Sequence, residues 1–409
     1  MGIDFIILPY NDFLKGENLG FRDRDLHLIL EIIKDERVRR VVIVERPRSI
    51  LTLFKFRKLS ISGAWKVFDN LKRLNEKVYL FEYFNFGVRQ IFEKHLWFDK
   101  VYGSKGFIDK FLTALGYLGI SDFALLSFNP FAQKLVDSLD PRFFFFDAID
   151  NLCLHPSLKN LYDYLCDVYF DISNKAKLIF CVNENVKKFF EERFPPSKNK
   201  VIVIHNGVCE MNFCAKSPDD LRGIKRPMIG YVGVISKRID FGLVEYLAQN
   251  RSNYSFVFVG PFYGDVRGWV KRLSRLKNVF FLGERHYDEI PNYVSSFDVC
   301  VVPHIVDEFT LSNDPMKVYE YIYAGKPVVS TGIYISRELL DFVFVARERE
   351  EFLKYLDEAV RVSRDDSFIL RQRAGIKEWM FWSKRAKLML DKILAAIQPR
   401  GIESGESTS

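Results

Sequence analysis

Lys317 and Glu320 stand three residues apart, just after a proline, in the run 312-SNDPMKVYEYIYAGKPVVS-330. Pro315 suits the first position of a helix, with Ser312, Asn313 or Asp314 available to cap it. Gly325 suits the stop, and Lys326-Pro327 leads into an apolar run, so the helix has only about three turns. A lysine in the first turn opposes the helix dipole, and a bound anion such as a phosphate reverses that penalty. A carboxylate one turn further, on the same face, can take both hydroxyls of a ribose. The same two residues also fit a plain i,i+3 surface pair.

The elements that must position this helix are legible as short apolar runs separated by helix-length polar segments. The first half holds 3-IDFIIL-8, 41-VVIVE-45, 78-VYLFEYF-84, 124-ALLSF-128, 143-FFFF-146, 178-LIFCV-182 and 201-VIVIH-205. The second holds 228-MIGYVGVI-235, 255-SFVFVG-260, 279-VFFLG-283, 299-VCVVP-303, 327-PVVST-331 and 342-FVFVA-346. The runs are continuous rather than alternating, as strands covered on both faces must be. This predicts an α/β protein with two doubly wound, Rossmann-like parallel sheets. Asn206-Gly207 and the polar stretch 216-KSPDDLRGIKRP-227 mark the seam. Residues 1–207 then form one domain and 208–375 a second. A last helix over about 376–397 carries Trp379 and Trp382, and 398–409 is predicted to be a disordered tail.

A chain of 409 residues fits two domains. With 48% hydrophobic residues it can fill two cores, which excludes a mainly disordered protein. Six cysteines without a CxxC pair or a zinc-like His spacing read as reduced thiols of a cytoplasmic protein. No leader and no spanning helix is predicted. The formal charge is +7, and the excess of Lys/Arg over Asp/Glu between Arg46 and Lys77 equals it. That basic run also carries Phe54, Phe56, Trp65 and Phe68, a mixture suited to an anionic membrane surface. A core-facing helix with a basic outer side is the alternative. No nucleic-acid module is visible.

The 312–330 run resembles the donor-binding signature of family 4 (group 1) retaining glycosyltransferases of GT-B fold, in a bacterial cell-surface polysaccharide branch whose motif reads P-x-K-x-x-E-Y-x-x-x-G-x-P-V-V. The stretches 206-NGVCEMNF-213, 230-GYVGVISKRID-240 and 279-VFFLGERHYDEIPNYVSSFDVCVVP-303 agree with it in order and spacing. The resemblance covers about residues 140 to 390. It implies a cleft between an acceptor-side first domain, with the 376–397 helix packed back on it, and a nucleotide-sugar-binding second domain. It further implies a UDP-, GDP- or dTDP-sugar donor and no cofactor or metal. It also implies a lipid-linked or saccharide acceptor.

Carried over residue by residue, the resemblance gives Glu320 the donor ribose and brings the Gly233 backbone to the diphosphate. Lys237 and Arg238 would neutralise the leaving diphosphate, or else lie in a solvated loop. Asn313 and Lys317 would contact phosphates and sugar, and Arg285 would edge the nucleobase pocket. Asp147 and Asp150, in 143-FFFFDAIDN-151, are the catalytic candidates for the acceptor hydroxyl, or caps of the next helix. Arg22 and Arg24, in the loop 15-KGENLGFRDRD-25, would complete a phosphate clamp or form surface salt bridges. His155 is assigned to structure. The family's second glutamate, eight residues before the ribose-binding one, is replaced here by Ser312, with Asp307 and Glu308 off register. The retaining outcome rests on the resemblance alone. A nucleotide-sugar epimerase and a non-catalytic glycosyltransferase-like subunit are the competing readings. A nicotinamide dehydrogenase is disfavoured because no strand is followed by GxGxxG. The expected location is the cytoplasm, peripheral on the inner face of the cell membrane.

Overall fold

The computed structural model describes residues 2–49, 65–87, 89–211, 213 and 217–398. Seven parallel strands make most of the first sheet, in the order Val201–Val203, Leu178–Cys181, Phe143–Ala148, Ala124–Ser127, Ile3–Leu8, Val38–Val44, Val78–Phe81. Leu71–Arg73 and Trp65–Phe68 extend its edge antiparallel. The second sheet is six parallel strands: Val279–Gly283, Ser255–Val259, Met228–Val232, Val299–Val302, Val328–Thr331, Val343–Ala346. In each sheet the winding reverses beside the first strand, between Ile3–Leu8 and Ala124–Ser127 and between Met228–Val232 and Val299–Val302. Open α/β sheets bind ligands beyond the carboxyl ends of the strands at such reversals.

Every one of the thirteen apolar runs read from the sequence contains a strand, because each run feeds two cores. Ile6 and Leu8 enter the core on one face of the first sheet, and Phe5 and Ile7 the core on the other. The edge hairpin differs from the sequence reading, which took this stretch as a basic aromatic patch or a helix. Asp69-Asn70 turns the chain, and Asn70 Nδ2 donates to Glu82 O at 2.8 Å, which fixes the hairpin against Val78–Phe81.

The helix Trp382–Ile397 buries Trp382, Ala386, Met389, Leu390 and Ile393, one helical face, in a core of the first sheet. The chain therefore crosses between the sheets twice, and the crossings lie side by side. Val208 N donates to Met380 O at 3.0 Å, and Trp382 N donates to Val208 O at 3.1 Å. A Cβ on Gly207 would lie 2.7 Å from Met380 O, so this junction accepts only glycine without shifting.

The basic run from Arg46 to Lys77 is partly outside the described residues, which omit Lys55, Arg57 and Lys58 together with Phe54 and Phe56. Of its other cations, Arg48 is buried between Asp12 and Glu82, and Lys72 pairs with Glu82 at 2.5 Å. Lys77 Nζ donates to Asp35 O at 2.9 Å, and Arg46 lies 4.4 Å from the centre of the Phe98 ring. Trp65 and Lys66 are exposed. The proposed tail, from residue 399 on, is outside the described residues. No described helix is long and apolar enough to cross a membrane.

Candidate functional site

The helix expected from the sequence is Met316–Tyr323, preceded by Pro315 in extended backbone, and no side chain caps it. The three expected caps are engaged elsewhere. Ser312 Oγ donates to Phe309 O at 2.7 Å. Asp314 accepts from Asn206 N at 2.7 Å and from Tyr319 Oη at 3.0 Å. Asn313, with its amide oriented to satisfy both neighbours, donates to Asp150 Oδ1 at 3.0 Å and Phe309 O at 3.1 Å. The positive end of the helix is thus left to the cleft. Val318, Tyr319, Tyr321 and Ile322 bury the other side of the helix, and Val232 N donates to Tyr321 Oη at 2.7 Å. That bond sets the helix against the end of the strand Met228–Val232.

The cleft has a volume of about 320 Å³, within the range of ligand pockets, and its lining comes from both sheets. Gly233 stands in it at φ 135°, where a Cβ would come within 3.0 Å of Lys317 Cε and Nζ. Gly260, which the sequence reading missed, holds φ 150°, and a Cβ there would sit 2.0 Å from Gly233 O. Two backbones therefore meet at the head of the helix with no side chain between them.

Lys317 and Arg238 line this notch, and neither forms an ion pair among the described residues. Among the described residues Lys317 Nζ donates to Tyr231 Oη, at 3.3 Å, and it lies 4.7 Å from the centre of that ring. Burial first, and then the Arg238 charge, lower its pKa to about 7, with Glu320 opposing. Arg238 lies over the Phe309 ring at 5.3 Å. Two cations at a helix head, neither held in an ion pair among the described residues, suit a polyanion.

Glu320 is 6% exposed and accepts from Tyr287 Oη at 2.6 Å. Burial raises its pKa, while the Tyr287 hydrogen bond and Lys317 oppose the rise. Tyr287, also missed in the sequence, packs on His27 of the first lobe at 5.5 Å between ring centres, and His27 stacks on Trp382 at 5.1 Å. Asp150 lines the cleft, and burial raises its pKa to about 6 against the charges of Arg238 and Arg24.

Asp147 is a correction. It is fully buried and holds Arg24 through both oxygens, Nε to Oδ1 at 3.0 Å and Nη2 to Oδ2 at 2.8 Å, so it is not free to take a proton from an acceptor. Arg24 reaches the cleft wall, with Nη1 donating to Asn206 Oδ1 at 3.0 Å. Arg22 crosses to the second lobe and pairs with Glu284 at 3.0 Å. Arg285 lines the cleft and donates to Asp220 at 2.6 Å and to Tyr293 Oη at 2.7 Å. Lys237 is exposed and outside the lining, in the solvated loop that was its alternative. His155 caps the turn Pro156–Leu161 and meets the Phe309 ring edge-on at 4.7 Å.

The cleft, its glycine notch and its cations lie within or against a segment with known relatives. Residues 226–360 match the family described as Glycosyl transferases group 1. That segment is similar to a group 1 glycosyl transferase domain. A curated relative, the "Putative teichuronic acid biosynthesis glycosyltransferase TuaH" of Bacillus subtilis (strain 168), is 30% identical over 168 residues, 40% of this chain. The match spans about two fifths (42%) of that relative's length. Among solved structures, sucrose-phosphate synthase from Thermosynechococcus elongatus aligns with 97% of this chain and 100% of its own, at TM-score 0.68 and 12% identity. Anabaena Alr3699/HepE, in complex with UDP and glucose, aligns with 96% and 100% at TM-score 0.64 and 16% identity. The transferase domain and the first lobe together have the GT-B fold.

Proposed function

We propose that this protein transfers a sugar from a nucleoside diphosphate sugar to a lipid-linked or polysaccharide acceptor, with retention at the anomeric carbon. The observation that carries the reading is the pair of unpaired cations, Lys317 and Arg238, at the glycine notch of Gly233 and Gly260. In this reading the diphosphate lies in the notch, where the two cations stabilise the charge that grows on it as the glycosidic bond breaks. Glu320 accepts from the ribose hydroxyls. Asp150, held by Asn313, takes the proton of the acceptor hydroxyl, and a pKa of about 6 suits that task near neutral pH. Both lobes line the cleft, so their approach would exclude water from the reacting atoms.

The name of the Bacillus relative, which places that protein in teichuronic acid biosynthesis, supports a cell-surface polysaccharide as the pathway's product. An acceptor of that kind accounts for docking on an anionic membrane surface through about residues 46–77, where Trp65 and Lys66 are exposed. The test is a panel of UDP, GDP and dTDP with UDP-glucose, GDP-mannose and dTDP-glucose, read first as a rise in melting temperature. The second readout is donor consumption with and without a membrane extract. We expect one nucleotide class to stabilise the protein, and consumption only with extract. No stabilisation by any nucleotide would remove the reading, and consumption without acceptor would favour an epimerase.

A further inference from the structure

Arg22, Asp23, Arg24 and Asp25 follow one another along the first-lobe wall of the cleft. Three of them are engaged: Arg22 with Glu284, Arg24 with Asp147, and Asp25 with Tyr10 N, Asn11 N and Asn11 Nδ2 at 2.8–2.9 Å. Asp23 makes no side-chain hydrogen bond or ion pair among the described residues. Its position makes that notable. Asp23 immediately precedes the helix Arg24–Ile32 in extended backbone, φ −105° and ψ 152°, where an aspartate ordinarily caps. Asp12 does so for the preceding helix, accepting from Lys15 N at 2.7 Å. Asp23 instead lines the cleft.

The second-lobe wall offers no equivalent. Ser312 is buried with its hydroxyl bonded, Asp307 and Glu308 are exposed outside the lining, and Asp314 and Glu320 each hold a tyrosine. The position of Asp23 is also fixed relative to Glu320. Gly20 has φ 85°, and a Cβ on it would fall 2.6 Å from Tyr287 Cβ. The backbone three residues before Asp23 thus abuts the residue whose hydroxyl is on Glu320.

A free carboxylate repels a diphosphate and accepts from hydroxyls, so the group beside it should be the uncharged, hydroxyl-bearing part of the ligand. We propose that Asp23 binds hydroxyls of the sugar being transferred, in the place left by the absent second-lobe carboxylate; this rests on the reading that the cleft holds a nucleoside diphosphate sugar. Burial, Asp25 and Asp150 raise the pKa of Asp23 to about 6, against Arg22 and Lys15, so it is ionised at pH 7.5.

The test compares wild type, Asp23→Asn and Asp23→Ala by calorimetric titration at pH 7.5. The ligands are UDP, GDP and dTDP, each beside UDP-glucose, GDP-mannose or dTDP-glucose. Neither variant breaks a hydrogen bond and both remove a buried charge that Asp25 and Asp150 repel, so neither should lower the melting temperature. The nucleotide that binds wild type should bind both variants with unchanged Kd, whereas its sugar ester should bind about tenfold more weakly, as loss of one charged hydrogen bond implies. Equal loss for nucleotide and sugar ester, or no loss for either, would overturn the assignment to the sugar. Failure of wild type to bind any of the six would instead sink the donor-site reading itself.

Discussion

Asp147 and Asp150 are three residues apart, and the structure divides them between two tasks. Asp147 ends in a buried bidentate pair with Arg24, so Asp147→Asn should cost about 3–5 kcal/mol of stability by leaving the guanidinium buried and unpaired. Asp150→Asn should leave stability nearly unchanged and lower turnover about 10²- to 10⁴-fold, as for loss of a general base. Urea unfolding and single-turnover rates on both variants separate the roles; the reverse pattern would exchange them. The sequence could not make this distinction, because Arg24 lies 123 residues from Asp147 along the chain. Lys317 gives a second expectation. Its pKa of about 7 leaves most of the amine neutral at pH 8, and a bound diphosphate raises it again. Nucleotide binding at pH 8 should therefore take up protons, and affinity should fall as pH rises above 7. Titration calorimetry in buffers of different ionisation enthalpy measures the uptake.

At the scale of elements, the strands were legible because a strand covered on both faces needs an unbroken apolar run, and the site helix because Pro315 and Gly325 punctuate it. Its capping was not legible. Asp314 and Asn313 are good caps by type, but Asn206, Tyr319 and Asp150 claim them from elsewhere in the fold. Gly260 and Tyr287 escaped notice for a similar reason, since Gly260 matters by its contact with Gly233 beyond the neighbouring strand and Tyr287 by its contact with His27 of the first lobe. Gly260→Ala tests the notch. Its methyl would collide with Gly233 O at a φ that side chains rarely adopt, costing about 1–3 kcal/mol in urea unfolding. It should also weaken nucleotide binding, because displacing Gly233 O disturbs the backbone beside Lys317.

For the whole molecule, the lobes touch beyond the hinge at several places, among them Arg22 with Glu284, Gly20 with Tyr287, Asn313 with Asp150, Asn185 with Leu311 O and Tyr334 with Glu184. The hinge itself is the paired crossing at Val208 and Trp382, with His27 stacked on the indole. Trp382→Ala removes a side chain that is 2% exposed and should cost about 3–5 kcal/mol. Because His27 in turn supports Tyr287, the same change should weaken the Glu320 end of the site more than the Lys317 end. A larger loss of affinity for a nucleoside diphosphate than for inorganic pyrophosphate would register that difference. The two-lobe plan was readable from the seam at Asn206-Gly207. The contacts that hold the cleft at its present width were not, since each joins residues distant in the chain.

In the proposed function the head of the Met316–Tyr323 helix, with Lys317 and Arg238, grips a diphosphate. The Kd of UDP, GDP and dTDP for wild type and for Lys317→Ala combined with Arg238→Ala, at low and moderate salt, decides this. One nucleotide should bind wild type, and the double variant should bind it at least about a hundredfold more weakly with a reduced salt dependence. An unchanged Kd in the double variant, with the fold intact, would contradict it.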